Sequence, residues 1–169
     1  MTSSNVWLQR IDRIRLLLGE LEWLPQLLMR IFIGYFFLET GWGKIHNLDQ
    51  MAQRFTDWGI PAPAFNAALS GYSEFLGGAL VLIGLGTRLA ALPLAVNMAV
   101  ALVTVKLKSI DGINGFFELD EPLYGLAFLW LVFSGPGKAS LDSLIWRYFS
   151  QQTRSDGSLP GSSKAVESS

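Results

Sequence analysis

The chain has 169 residues, of which 50% are hydrophobic and 16% are charged, and its formal net charge is −1. Soluble domains carry about 25% charged residues, so the composition predicts a membrane protein and gives no indication of a nucleic-acid partner. The absence of cysteine excludes disulfides, thiolate metal ligands and cysteine nucleophiles.

Residues 1–22 predict an amphipathic helix that lies on the inner membrane surface. Charged side chains alternate there with apolar residues at helical spacing, namely Trp7, Ile11, Ile14, Leu18 and Leu21. Because no apolar core followed by a small-residue cleavage site appears, we expect no removable signal peptide.

Residues 23–149 contain four apolar segments and predict an all-α fold, an integral membrane four-helix bundle with flanking amphipathic interfacial helices. The candidate spans are 23–43, 65–86, 89–107 and 119–134. A helix needs about 20 residues to cross a bilayer, and a helix satisfies its backbone polar groups internally. The fourth segment is short, so Phe116 and Phe117 are candidates to extend it.

The distribution of Lys and Arg predicts the topology. With four spans, one side of the membrane would carry Arg10, Arg13, Arg15, Arg88, Lys138, Arg147, Arg154 and Lys164. The other side would carry Lys44, Arg54, Lys106 and Lys108. Since cytoplasmic loops are richer in these residues, we expect a cytoplasmic-membrane protein with both termini in the cytoplasm.

Two connections between the predicted spans carry recognisable patterns. Between the first and second spans, Leu48, Met51, Phe55 and Trp58 would share one face of a short interfacial or re-entrant helix, which the following proline-rich turn would end. Between the third and fourth spans, four acids form a cluster: Asp111, Glu118, Asp120 and Glu121. We interpret this cluster as a solvated loop, with a hard cation such as Ca²⁺ as the alternative.

The C-terminal part predicts a break, a short helix and a tail. Residues 135–142 (GPGKASLD) would interrupt the chain, and a second amphipathic stretch follows with Leu141, Leu144, Ile145 and Tyr148. The last residues, 150–169, are rich in Ser, Gly and Pro and predict a disordered polar tail.

Ionisable and polar residues within the spans are the main functional candidates, because charge at membrane depth is costly and usually has a purpose. On the first span Arg30, Gly34, Gly41 and Lys44 share a face, whereas Glu39 points the opposite way. The second span has a small-residue face containing Ala67, Ser70, Gly71, Glu74, Gly77 and Gly78. The third has a polar stripe containing Pro93, Asn97, Ala101, Thr104 and Lys108.

These faces predict one polar interior whose candidate residues are Arg30, Glu39, Lys44, Glu74 and Asn97. A purely structural polar network and a site for a headgroup, a proton or a small solute both remain open. We interpret His46, the single histidine, as a surface residue, and no metal site is expected because one histidine without cysteine cannot form a zinc site alone.

The sequence resembles the DoxX family of small bacterial and archaeal membrane proteins from about residue 24 to 146. The resemblance rests on RIFIGYFFLETGWGK (30–44), WGIP (58–61), EFLGGALVLIGLGTR (74–88) and GPGKASLD (135–142). It implies a four-helix membrane bundle and a link to membrane oxidoreductase systems, since the family is named after a subunit of an archaeal thiosulfate:quinone oxidoreductase. The pattern residues are Arg30, Gly34, Gly41, Lys44, Glu74, Gly77, Gly78 and Arg88, and the family provides no catalytic residues to transfer.

The leading functional hypothesis is a quinone-linked redox subunit or accessory, with an oxidoreductase partner that is soluble or in the membrane. No cofactor other than a possible quinone is expected. Arg30 or Lys44 would donate to a quinone carbonyl, and Glu74 would exchange the proton. The alternatives are a small-solute binding or transport protein and a membrane scaffold for soluble enzymes. Small-residue helix faces also permit a homo-oligomer.

Overall fold

The computed structural model describes residues 10–156 except 11, 14, 17 and 109–111, and every regular element among them is helical. The all-α prediction is therefore confirmed. The helices are α1 (Trp23–His46), α2 (Leu48–Asp57), α3 (Pro63–Ile83), α4 (Thr87–Thr104), α5 (Gly112–Phe117), α6 (Asp120–Ser134) and α7 (Leu141–Asp156), with a 3₁₀ turn at Lys106–Lys108.

The N-terminal segment is helical at each described residue from 10 to 20, and Leu18 and Leu21 are exposed. Of the apolar positions behind the predicted amphipathic helix, Trp7, Ile11 and Ile14 lie outside the described residues.

Helices α1, α3, α4 and α6 occupy the four segments that were predicted to span the membrane. Among the described residues, α4 is the one helix that is both long enough and apolar enough to cross a bilayer by itself. Helix α6 has 15 residues, fewer than the roughly 20 that a perpendicular span needs, and α1 carries Arg30, Glu39 and Lys44. The structure thus confirms the helices and leaves the four-span membrane bundle a prediction.

Helices α1 and α3 form the most extensive helix pair, and glycines bring their backbones together. A Cβ atom on Gly78 would lie 2.5 Å from the backbone nitrogen of Leu38 and 2.9 Å from the carbonyl oxygen of Gly34. A Cβ on Gly34 would lie 2.7 Å from the nitrogen of Leu82. Since real side chains do not approach backbone this closely, the contact requires glycine at these positions.

The core lies where α1, α4 and α6 meet α3. Phe37 of α1 packs edge-on against Phe128 of α6, with ring centroids 4.7 Å apart, and Phe128 is fully buried. The other buried members are Ile33, Val81, Ala90, Ala91, Leu94, Met98, Ala127 and Leu131. This apolar centre fixes α4 and α6 relative to the α1–α3 pair.

The short α2 packs across the start of α3. Its Met51 and Phe55 are buried in a small cluster with Ala67, while Trp58 at its C-cap stacks near Phe55. The helix predicted between the first two spans is therefore present, and Met51 and Phe55 of its predicted apolar face are buried against α3.

Two boundary predictions differ from the structure. Phe116 and Phe117 belong to the separate helix α5 and do not extend α6. Helix α7 continues to Asp156, so residues 150–156 are helical where a disordered tail was predicted. The segment from 150 to 156 contains neither glycine nor proline, so nothing in it interrupts the helix.

Replacing Gly78 by alanine should separate α1 from α3. Overpacking in a tight contact costs typically about 1–3 kcal/mol, so we expect G78A to lower the free energy of unfolding in detergent by that amount. G43A on α1 is the matched control, because a Cβ there meets nothing within 4 Å and alanine favours helix. Equal stability of G78A and G43A would contradict the glycine-mediated contact.

Candidate functional site

A polar cluster lies between α1, α3 and α4 and centres on one oxygen of Glu74. Lys44 Nζ donates to Glu74 Oε1 at 2.5 Å, and Asn97 Nδ2 donates to the same oxygen at 2.6 Å. Ser70 Oγ accepts from Lys44 Nζ at 3.2 Å and from Asn97 Nδ2 at 3.1 Å. Three of the predicted site residues, Lys44, Glu74 and Asn97, are therefore in direct contact.

Local helix geometry explains how these residues meet. Ser70 and Glu74 are four residues apart on α3 and so project from the same face, which is the buried small-residue face predicted from the sequence. Lys44 lies in the last turn of α1, and the close α1–α3 contact brings its long side chain across to Glu74. Asn97 closes the cluster from the middle of α4.

Glu74 is only 1% exposed, yet its hydrogen bonding is one-sided. The hydrogen bonds that Glu74 accepts all end on Oε1, whereas Oε2 is buried and has no hydrogen-bond partner. A buried carboxylate oxygen without a donor is unfavourable, and such groups in native proteins call for an explanation. Glu74 also lines a large cavity, so the residue that carries the unsatisfied acceptor borders space for a ligand.

The cavity has a volume of about 1220 Å³ and is bordered by α1, α2, α3, α4 and α6. Its walls are largely apolar, with contributions from Phe36, Met51, Phe55, Leu69, Val96 and Val100. Ligand sites generally combine such walls with a few convergent polar groups, and here the cluster around Glu74 supplies them.

A second group of charges lines the same cavity near the start of α6. Lys106 Nζ lies 2.9 Å from Glu121 Oε1, and Glu121 Oε2 is buried without a hydrogen-bond partner. Asp120 and Arg54 also line the cavity. The sequence-based interpretation of Glu121 as part of a solvated acidic loop is therefore incorrect, since its side chain is only 16% exposed.

Arg30 lies apart from this cluster. It is 1% exposed and donates to backbone carbonyls, from Nε to Val81 at 3.0 Å and from Nη2 to Leu82 at 3.4 Å. Its Nη1 donates to the carbonyls of Pro136 and Ala139. Arg30 thus connects the C-terminal end of α3 to the 135–142 segment. It does not line the cavity, which lies toward the other end of α3.

The 135–142 segment and the α3–α4 turn complete this anchor. Asp142 accepts from the backbone N–H of Gly86 at 3.0 Å, and its own N–H donates to the carbonyl of Gly84. Gly84 has φ +73°, and a Cβ there would lie 2.7 Å from Cζ of Arg30. Glycine is therefore required at this position both for its conformation and for space.

The remaining residues considered in the sequence analysis lie outside the polar cluster around Glu74. Glu39 and His46 are exposed on α1, and His46 Nδ1 lies 2.9 Å from the carbonyl oxygen of Trp42. Arg88 is also exposed and runs beside Gly135, while Gly77 lies against Leu94. Within the described part of the chain, no group of three His, Asp or Glu residues could hold a metal ion.

Sequence comparison shows which protein family the chain belongs to. The DoxX family profile matches residues 26–107, and the chain belongs to the DoxX family of membrane proteins. A Mycobacterium tuberculosis protein named "Uncharacterized membrane protein Rv3486" is 40% identical over 127 residues, covering 68% of this chain and 77% of that protein.

Two further relatives have names that bear on function or location. A Bacillus subtilis protein named "Putative oxidoreductase CatD" is 31% identical over 121 residues, covering 72% of this chain and 87% of that protein. The inner membrane protein YqjF of Escherichia coli is 30% identical over 126 residues, covering 75% and 95%. No solved structure matches the chain.

The Lys44–Glu74 contact should be measurable as a coupling energy. We expect K44M and E74Q each to destabilise the protein, and the double variant to be more stable than the sum of the single effects predicts. Contacting charged residues give coupling energies of about 0.5–3 kcal/mol. The cycle K44M with E39Q is the control, since Glu39 is exposed. Additive effects of K44M and E74Q would contradict a direct interaction.

Shortening Arg30 to lysine should loosen the anchor between α3 and the 135–142 segment. Lysine has no planar fork of donors and cannot serve four carbonyls at once. Because hydrogen bonds from a charged group contribute about 1.5–3 kcal/mol each, we expect R30K to lower the free energy of unfolding by about 2 kcal/mol or more. The exposed Arg88 provides the control, R88K. If both variants lose the same stability, Arg30 is not an anchor.

Proposed function

We propose that this protein binds a quinone in the cavity beside Glu74 and serves as a subunit or accessory of an oxidoreductase system in the cytoplasmic membrane. The observation that carries the proposal is the large apolar cavity with a buried, half-satisfied carboxylate and a lysine in its wall. Family membership and the oxidoreductase name of the Bacillus subtilis relative support it.

The residues present fit a quinone. The apolar walls suit an isoprenoid tail, and the polar cluster suits the headgroup. An ammonium group has three N–H donors, and Lys44 uses two of them, toward Ser70 and Glu74. Its side chain is 25% exposed and lines the cavity, so the third donor is available to an oxygen of the headgroup.

In this proposal Glu74 exchanges the proton, and a partner oxidoreductase supplies the electrons. A bound quinone supplies two-electron, two-proton chemistry, and a carboxyl group beside its oxygen can hold or deliver a proton. The oxidoreductase name of the Bacillus subtilis relative favours a partner oxidoreductase as the source of the electrons. Arg30 has no part in this binding, because its donors are engaged by carbonyls away from the cavity.

The positive-inside pattern favours an orientation in which the cavity lies toward the outer face of the membrane. Lys44, Arg54, Lys106 and Glu121 all lie on the side that carries fewer Lys and Arg residues. Both termini and the Arg30 anchor would then lie at the cytoplasmic end. The inner membrane location named for the Escherichia coli relative supports a cytoplasmic-membrane location and does not bear on the orientation.

Filling the cavity should remove the quinone. Ala101 lines the cavity on α4, so A101W should abolish co-purification of quinone with protein extracted gently from its native membrane. L89W on the same helix is the matched control, because Leu89 is 81% exposed and does not line the cavity. Mass spectrometry would measure bound quinone and any co-purifying oxidoreductase.

The proposal predicts near-stoichiometric quinone in the wild type and L89W, and little in a folded A101W. Wild-type protein that carries no quinone and binds none when it is added would overturn the proposal. Flux of a small solute through proteoliposomes, blocked by A101W, would then favour the transport alternative.

A further inference from the structure

We propose that the cavity binds the reduced, hydroxyl-bearing form of the carrier, the 1,4-diol, more tightly than the quinone. This inference rests on the proposed function and deepens it by naming the redox form that the site prefers. It derives from the type of polar atom that the cavity leaves without a partner.

The unsatisfied buried atoms at the cavity are acceptors. Among the described residues, three buried side-chain polar atoms lack hydrogen-bond partners: Glu74 Oε2, Glu121 Oε2 and Thr87 Oγ1. Glu74 and Glu121 line the cavity and Thr87 does not. An ionised carboxylate oxygen can only accept hydrogen bonds, so each of these two buried oxygens needs a donor.

The charges around the cavity are already compensated. Three cations line it (Lys44, Arg54 and Lys106), and so do three acids (Glu74, Asp120 and Glu121). Lys44 pairs with Glu74 and Lys106 with Glu121. The equal numbers of cationic and acidic side chains favour an uncharged ligand, and the unsatisfied carboxylate oxygens favour one that donates hydrogen bonds.

The two redox forms of a quinone differ in whether they can donate hydrogen bonds. A quinone carbonyl only accepts, and placed against Glu74 Oε2 it would leave that oxygen unsatisfied. A hydroxyl of the diol donates to Oε2 and removes the deficit. Lys44 does not discriminate between the forms, because its third N–H can donate to a carbonyl or a hydroxyl oxygen. Sites that hydrogen-bond a substrate hydroxyl discriminate strongly against analogues that lack it.

Glu74 can present Oε2 to the cavity without a backbone movement. The last torsion of a glutamate side chain is broad and roughly two-fold, so rotation of the carboxyl group turns the second oxygen toward the ligand. The rotation moves Oε1 as well, so the side chains of Lys44 and Asn97 adjust with it to keep their hydrogen bonds to the carboxylate.

The test compares the affinities of decyl-ubiquinone and decyl-ubiquinol for the whole protein in lipid nanodiscs, without oxygen. We expect the wild type to bind the diol at least tenfold more tightly than the quinone. For a two-electron couple, a tenfold preference raises the midpoint potential of the bound pair by about 30 mV, which gives an independent readout.

Variants identify the residue responsible. E74Q gives position 74 an amide N–H₂ that can donate to a carbonyl, so its preference for the diol should fall at least tenfold. The double variant K44M/E74Q, which removes both charges, should show the same loss if E74Q folds poorly. E39Q should keep the wild-type preference, because Glu39 is exposed and does not line the cavity.

The outcomes separate this inference from the proposed function. Equal affinities in the wild type, or tighter binding of the quinone, would overturn the inference and leave quinone binding intact. Loss of the preference in E121Q instead of E74Q would overturn the assignment to Glu74. If neither form binds, the proposed function itself fails.

Discussion

The close contact between α1 and α3 positions both the Lys44–Glu74 pair and the Arg30 anchor. Gly34, Gly41 and Gly78 let the two backbones approach, and that distance is short enough for α1 side chains to reach across α3 at both ends. At one end Lys44 meets Glu74. At the other, Arg30 reaches the carbonyls of the last turn of α3. Larger residues at the glycine positions would move both contacts out of range.

Buried charge is stabilised differently at the two ends of the α1–α3 pair. Arg30 is fully buried and distributes its charge over four backbone carbonyls, which also satisfies acceptors left open at a helix C-terminus. Glu74 is equally buried, but its ion pair and hydrogen bonds satisfy one oxygen and leave the other open. Because a buried carboxylate oxygen without a donor is unfavourable, the incomplete arrangement at Glu74 supports the proposed ligand site.

Much of the fold could be predicted from periodicity. The face of α3 that contains Ala67, Ser70, Glu74 and Gly78 was expected to be buried, and it is, because helical spacing fixes which residues share a side. The meeting of Lys44, Glu74 and Asn97 followed from similar faces on α1 and α4. Ser70 could have been added to the site, since it lies one turn before Glu74 on the same face.

The rest depended on contacts that side-chain patterns do not reveal. Arg30 has backbone carbonyls as partners, and a carbonyl leaves no signature in the sequence, so its distance from Glu74 was not foreseen. Glu121 looked like a loop acid because the turn before α6 is rich in acids, yet packing against Lys106 buries it. The role of α2 as a wall of the cavity similarly depends on tertiary docking of Met51 and Phe55 onto α3.

The two ends of the α1–α3 pair differ in how completely their polar groups are satisfied. The anchor of Arg30, Gly84 and Asp142 is satisfied by internal hydrogen bonds and ties α3, α4 and the 135–142 segment together. The cavity end is open, partly polar and bordered by the short α2, which packs on few buried residues. A ligand bound beside Glu74, as proposed, would therefore leave the hydrogen bonds of the Arg30 anchor unchanged. Of the three buried side-chain polar atoms that lack a partner among the described residues, two belong to residues that line the cavity, Glu74 and Glu121.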